Sequence, residues 1–159
     1  MFIFASPKAI LYNCKVYQNG ANGMFIKNSP EVKIEDCDIY DNGSSSNDYP
    51  QIWIEASKVW IENSKIWTKA NSSKTSTGIH ITASPKAILK NCKIYQNNRY
   101  GVNIENSPEV KIEDCDIYDN GSSSFLNSYP QIGIEASNVW IENSKVWMET
   151  KNIKNHGIY

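Results

Sequence analysis

A few residue types in this chain could do chemistry, and their spacing narrows what that chemistry is. Cys14, Cys37, Cys92 and Cys115 occupy equivalent places in a repeated pattern. No Cys-x-x-Cys pair exists, and the two histidines, His80 and His156, lie far from the cysteines, so the spacing argues against a zinc site. Aromatic residues form a second group. Tyr17, Tyr40, Trp67, Tyr95, Tyr118 and Trp147 fall at one repeated position, Trp60 and Trp140 at another, and Phe2, Phe25 and Trp53 at a third. Flat aromatic rows can stack on sugar rings, and they can equally pack under a loop. Tyr40, Trp53, Trp60, Trp67, Tyr118, Trp140 and Trp147 are therefore the candidate ligand-binding residues. Three Asn-x-Ser sequons, at Asn42, Asn71 and Asn120, fall in expected loops and lean slightly toward a surface protein.

Composition excludes more than it selects. At 159 residues and a formal net charge of -1 the chain is neither a basic nucleic-acid binder nor a basic membrane-surface protein. Arg99 is the single arginine, so the fork-shaped donor favoured for phosphate and carboxylate recognition is scarce. No apolar run approaches the ~20 residues that span a bilayer, so no transmembrane segment is expected. Met1-Phe-Ile-Phe is too short for a secretory signal and has no basic lead-in or cleavage site.

The elements that must position these residues are set by repetition. Asn28 to Ser46 returns letter for letter at Asn106 to Ser124, and Ala5-Ser-Pro-Lys-Ala-Ile-Leu returns at Ala83, 78 residues on. Residues 1-159 thus read as one domain made of two units, 1-78 and 79-159. Within each unit a shorter motif occurs three times, starting at Met1, Met24 and Ile52, then Ile79, Val102 and Ile132, with a further start at Ile158. The intervals run from 23 to 30 residues, and the variation collects in segments such as Gly43 to Gln51 and Gly121 to Gln131. Three short alternating apolar runs per turn, bounded by Ser-Pro, Asn-Cys and Asn-Gly, predict three β-strands per coil. A strand of this kind buries its apolar face only by stacking on its neighbours, as ladders ~4.8 Å apart.

Three inward ladders follow. Ile3, Ile26, Ile54, Ile81, Ile104 and Ile134 form one. Leu11, Ile34, Ile61, Leu89, Ile112 and Ile141 form another, and Val16, Ile39, Ile66, Ile94, Ile117 and Val146 a third. Asn13, Asp36, Asn63, Asn91, Asp114 and Asn143 sit at the bend before the third strand, where Asn and Asp tolerate left-handed backbone. The cysteines follow them, replaced by Ser64 and Ser144 in every third coil. Side chains in one register point in parallel, which favours buried thiols over disulfides, whereas oxidised pairs would indicate an extracellular setting. The outward row Lys15, Asp38, Lys65, Lys93, Asp116 and Lys145 mostly alternates in sign, and reads as register control.

This pattern resembles the right-handed parallel β-helix superfamily of pectate lyases, polygalacturonases, phage tailspikes and microbial surface proteins. The fold the resemblance implies is an all-β solenoid of about six three-strand coils. In the lyases the active groove runs along the outer face of the first strand, and the equivalent positions here hold Lys27, Trp53, Glu55, His80, Asn103, Glu105 and Glu135. Glu105 and Glu135, on successive turns, could bind calcium or act as an acid and base pair, with His80 beside them. No other cofactor is implied. The basic residue within a calcium-carboxylate cluster that marks pectate lyases has no clear match, and the paired-Asp and Gly-His-Gly signatures of polygalacturonases are missing.

The two ends of the sequence are in phase. Met1, Phe2 and Ile3 open a coil, and Gly157, Ile158 and Tyr159 repeat the start of the next. Neither end carries an atypical polar cap, so the expectation is either a piece of a longer β-helix or end-to-end self-association into fibres. The function expected first is a non-enzymatic structural or adhesive module of a surface or extracellular protein. A polysaccharide-binding or polysaccharide-degrading module, lyase or glycoside hydrolase, is the alternative, and a consensus or designed scaffold without native activity a third.

Overall fold

The computed structural model describes residues 1-43, 48-69, 76-121 and 129-148. Among these residues there is no helix, and eighteen short strands form three six-stranded parallel sheets. The first sheet holds Phe2–Phe4, Met24–Lys27, Ile52–Glu55, Ile79–Thr82, Val102–Glu105 and Ile132–Glu135. Ala9–Tyr12, Val32–Glu35, Lys58–Glu62, Lys86–Lys90, Val110–Glu113 and Val139–Glu142 make the second. The third holds Lys15–Tyr17, Asp38–Tyr40, Lys65–Trp67, Lys93–Tyr95, Asp116–Tyr118 and Lys145–Trp147. Each coil gives one strand to each sheet, so every strand pairs with its counterpart one coil away. The chain is the expected parallel β-solenoid.

The register is the one the repeats imply. Ile3 pairs with Ile26, Ile26 with Ile54, Ile54 with Ile81, Ile81 with Ile104, and Ile104 with Ile134. Two further inward ladders complete the core, Met24-Ile52-Ile79-Val102-Ile132 and Val32-Val59-Ala87-Val110-Val139. Residues of the middle coils are sealed from solvent, whereas Val16, Ile134, Ile141 and Val146 of the outer coils are only partly buried. The cause is geometric: an end rung is covered on one side only.

Left-handed residues turn the chain at each corner. The expected Asn and Asp ladder does this at the second bend, with φ from 49° to 53°. The first bend uses Ala5, Asn28, Ala56, Ala83, Asn106 and Ala136 at φ 45-52°, and the third uses Gln18, Asp41, Gln96 and Asp119. Alanine pays a steric cost in this region, and the following serine supports the bend. Ser29 N–H donates to Ser57 Oγ at 3.0 Å, Ser57 N–H to Ser84 Oγ at 3.3 Å, and Ser84 N–H to Ser107 Oγ at 3.2 Å. Each of these hydroxyls also donates to the carbonyl two residues earlier.

The cysteines play the serine part at the second bend. Cys14 N–H donates to Cys37 Sγ at 3.4 Å and Cys37 N–H to Ser64 Oγ at 3.0 Å, a pattern repeated by Cys92, Cys115 and Ser144. All four thiols are free. Burial pushes the Cys37 thiol up, and contact with Cys115 together with burial pushes Cys92 well up.

One expectation needs correction. Asn42 and Asn120 are fully buried at the third bend, where each side chain binds a backbone carbonyl and a loop glutamine. The folded chain offers neither amide for glycosylation, and Asn71 lies outside the described residues. The Lys and Asp row of the third sheet has the expected register, yet no salt bridge joins its members among the described residues. Lys33 instead meets Glu35 and Glu62 on the second sheet.

Candidate functional site

The outer face of the first sheet carries two rows. One runs Phe2, Phe25, Trp53, His80, Asn103, Gly133, and the next Phe4, Lys27, Glu55, Thr82, Glu105, Glu135. Aromatic contacts run along the first row: Phe25 and Trp53 centroids lie 5.1 Å apart, Trp53 and His80 5.5 Å. Beyond His80 the row becomes polar, and there the loops between coils close over the sheet. They enclose a cleft of about 370 Å³ bordered by Trp53, His80, Asn103 and Glu105 from the sheet and by Asp48, Arg99, Tyr100 and Tyr129 from three loops.

Each loop residue has an identifiable support. Arg99 makes an ion pair with Asp48 and lies 4.8 Å over the Tyr129 ring, a cation-π contact. Tyr129 and Tyr100 meet edge to face at 5.1 Å and 63°. Tyr100 in turn occupies space left by Gly133, where an added Cβ would lie 2.7 Å from Tyr100 Cε1 and 2.8 Å from Asn103 Oδ1. The corresponding coil of the first unit carries Trp53 at this position. The difference between copies thus has a physical use: glycine in one makes room for tyrosine, and tryptophan in the other forms a wall.

The polar rim is also organised. Asn103 Nδ2 donates to Glu105 Oε1 at 2.7 Å, and His80 Nε2 lies 3.8 Å from Glu105 Oε2. Burial lowers the His80 pKa, with Glu105 pulling the other way, so the imidazole is uncharged at neutral pH. Burial raises the Tyr100 pKa, so its phenol stays protonated as a donor. The Trp53 indole N–H is buried without a hydrogen-bond partner among the described residues, as is Asn22 Oδ1.

Of the residues singled out from sequence, the cleft collects Trp53, His80, Asn103 and Glu105. Glu135 pairs in register with Glu105 on the next coil. Trp60 and Trp140 stand on the outer face of the second sheet. Tyr40, Trp67, Tyr118 and Trp147 belong to a continuous stack with Tyr17 and Tyr95, whose rings lie 4.5-5.8 Å apart and within 4-8° of parallel. Rings inside that stack have both faces covered by neighbours and turn their edges outward. Met1, Phe2 and Ile3 form the first rung, with Phe2 exposed. Gly157, Ile158 and Tyr159, like His156, lie outside the described residues.

Asp48, Arg99, Tyr100 and Tyr129 were not legible as site residues. The sole arginine, and the Arg99-Tyr100 pair where the first unit has Ala21-Asn22, were the available signals. Calcium takes six to eight oxygen ligands, and no group of three or more metal-binding side chains assembles among the described residues.

Three parallel sheets wound coil upon coil define a β-helix protein. The family described as right handed beta helix region matches residues 2-159, and the chain belongs to that family. No curated protein matches it. Among solved structures, the crystal structure of pectate lyase Pel9A matches with a TM-score of 0.62 at 17% identity. The match covers 82% of this chain and 35% of that one, so the chain spans about a third of that enzyme's length. At this identity the likeness is one of fold.

Proposed function

We propose that the chain is a non-enzymatic adhesive module of a surface or extracellular protein, binding polysaccharide in the cleft on the first sheet. The observation that carries this reading is the meeting of three aromatic rings, Trp53, Tyr100 and Tyr129, with hydrogen-bonding groups on Asn103, Glu105, His80 and Arg99 in one recess. Sugar rings offer an apolar C–H face and a rim of hydroxyls, and this wall and rim suit both. The strands that carry Trp53, His80 and Asn103 are paired on both sides, which fixes the sheet wall of the recess.

Degradation is the weaker alternative. A lyase needs a free base and a cation against the substrate carboxylate. Arg99 is committed to Asp48 and Tyr129. The Glu105, His80 and Asn103 contacts are the single feature favouring acid-base chemistry, and Pel9A is itself a pectate lyase. A glycan array together with an unsaturated-uronide absorbance assay separates the readings. Binding without turnover is expected; turnover that Glu105→Gln abolishes would establish an enzyme, and silence on every glycan would end the binding proposal.

End-to-end association is a companion proposal. Phe2, Phe4, Ile10 and Tyr12 are more than half exposed on the first rung, an apolar surface that a second copy could cover. Electron microscopy at high protein concentration tests it, and dispersed single particles would refute it.

A further inference from the structure

Resting on the reading of the first-sheet cleft as a polysaccharide site, we infer that it selects uncharged sugar units and turns away uronates. The charges on this face decide the matter. Lys27 is taken by Glu55 at 2.7 Å, and Arg99 by Asp48. Glu105 and Glu135 then remain side by side in register with no lysine or arginine paired to either among the described residues. His80 lies 3.8 Å from Glu105, and burial lowers its pKa and so disfavours the cation; Tyr100, whose phenol burial keeps protonated, neighbours both carboxylates.

The described residues of this surface therefore hold two cations against four carboxylates, and both cations are already neutralised. A polyuronate would bring one carboxylate per sugar to a face with unmatched negative charge. An uncharged pyranose meets no such penalty. Its hydroxyls can donate to the Glu105 carboxylate and accept from Asn103 and the Tyr100 phenol, while its C–H face contacts the aromatic wall. At 370 Å³ the cleft lies at the lower end of the ~300-1,000 Å³ usual for small-molecule sites, so it takes a short segment of a chain.

The experiment titrates the protein with gluco-, manno- and galacto-oligosaccharides, with oligogalacturonate of equal length, and with chitosan oligomers, at low and moderate salt. At least one uncharged series is expected to bind at least about tenfold more tightly than oligogalacturonate, the effect of one or two like charges at partly exposed separations. Salt should narrow that ratio by screening, and Glu135→Gln should narrow it at low salt. Oligogalacturonate binding as well as or better than every uncharged series would overturn the inference and leave the polysaccharide reading standing. Tightest binding by chitosan oligomers, abolished by salt, would do the same in favour of a cation site. Failure of every oligosaccharide to bind would sink both.

Discussion

Two glycines on adjacent coils should respond in opposite ways to the same substitution. Gly101 is enclosed by backbone and core: a Cβ there would sit 2.7 Å from the Gln131 carbonyl oxygen, 2.6 Å from Asn120 Nδ2 and 2.8 Å from Ile117 Cγ2. A backbone carbonyl in a strand-paired turn cannot move alone, so Gly101→Ala forces the coil apart. Overpacking of this kind costs roughly 1-3 kcal/mol, which for a domain of this size lowers Tm by roughly 2-12 °C. At Gly133 the obstacles are the Tyr100 ring and the Asn103 side-chain oxygen, 2.7 and 2.8 Å away. Both can swing aside. Moving Tyr100 forfeits its edge-to-face contact with Tyr129, about 0.5-1.5 kcal/mol, while alanine regains about 0.5-1 kcal/mol of glycine's backbone entropy in a strand.

Gly133→Ala should therefore leave stability within about 1 kcal/mol of the parent. It should weaken oligosaccharide binding at least about tenfold, because one wall of the cleft has moved. Thermal melts and binding titrations on the two variants supply the comparison. The reasoning is refuted if Gly133→Ala melts as low as Gly101→Ala, or if it binds sugar as tightly as the parent.

Other consequences follow from the corners and the buried groups. Ser57→Ala leaves the buried Ser29 N–H without its 3.0 Å acceptor and should cost about 1-3 kcal/mol by denaturant unfolding. Ser57→Cys should recover much of that loss, as Cys37 serves the same role one bend away; equal losses for both would show that the ladder contributes little. Ala56→Asn should raise stability by up to about 1 kcal/mol, since φ of 48° strains alanine and suits the asparagine found at Asn28; an unchanged midpoint would refute the strain argument. Because burial lowers the His80 pKa, the unfolded chain takes up a proton near pH ~6.5 that the fold binds only at lower pH. Its contribution is thus fully present above that pH and lost as pH falls from there through the lower folded-state pKa. His80→Phe, continuing the Phe25 row, should flatten the slope below pH ~6.5, and parallel curves for the two proteins would contradict this. Cys37, Cys92 and Cys115, buried as thiols, should resist alkylation until the chain unfolds, with Cys14 reacting first; mass spectrometry showing three early adducts would be inconsistent with the fold.

The amino-acid sequence alone determined the period, the strand positions, the inward ladders from Ile3 to Ile134 and the left-handed Asn and Asp corner. Each of these is a local pattern repeated six times, so agreement between coils supplied what a single strand could not. It also marked Trp53, His80 and Gly133 as places where the copies diverge. Burial of the Asn42 and Asn120 sequons escaped it, because three residues record the chemistry of an acceptor site but not what packs against it. The salt bridges escaped it as well: register places charges on neighbouring rungs, but side-chain reach decides which close, and Lys33 found Glu62 while Lys15 and Asp38 stayed apart. Tertiary structure alone decided the cleft. Asp48, Arg99, Tyr100 and Tyr129 come from loops of unequal length with no period to read, and only the stacking of coils brings them over Trp53, His80 and Glu105.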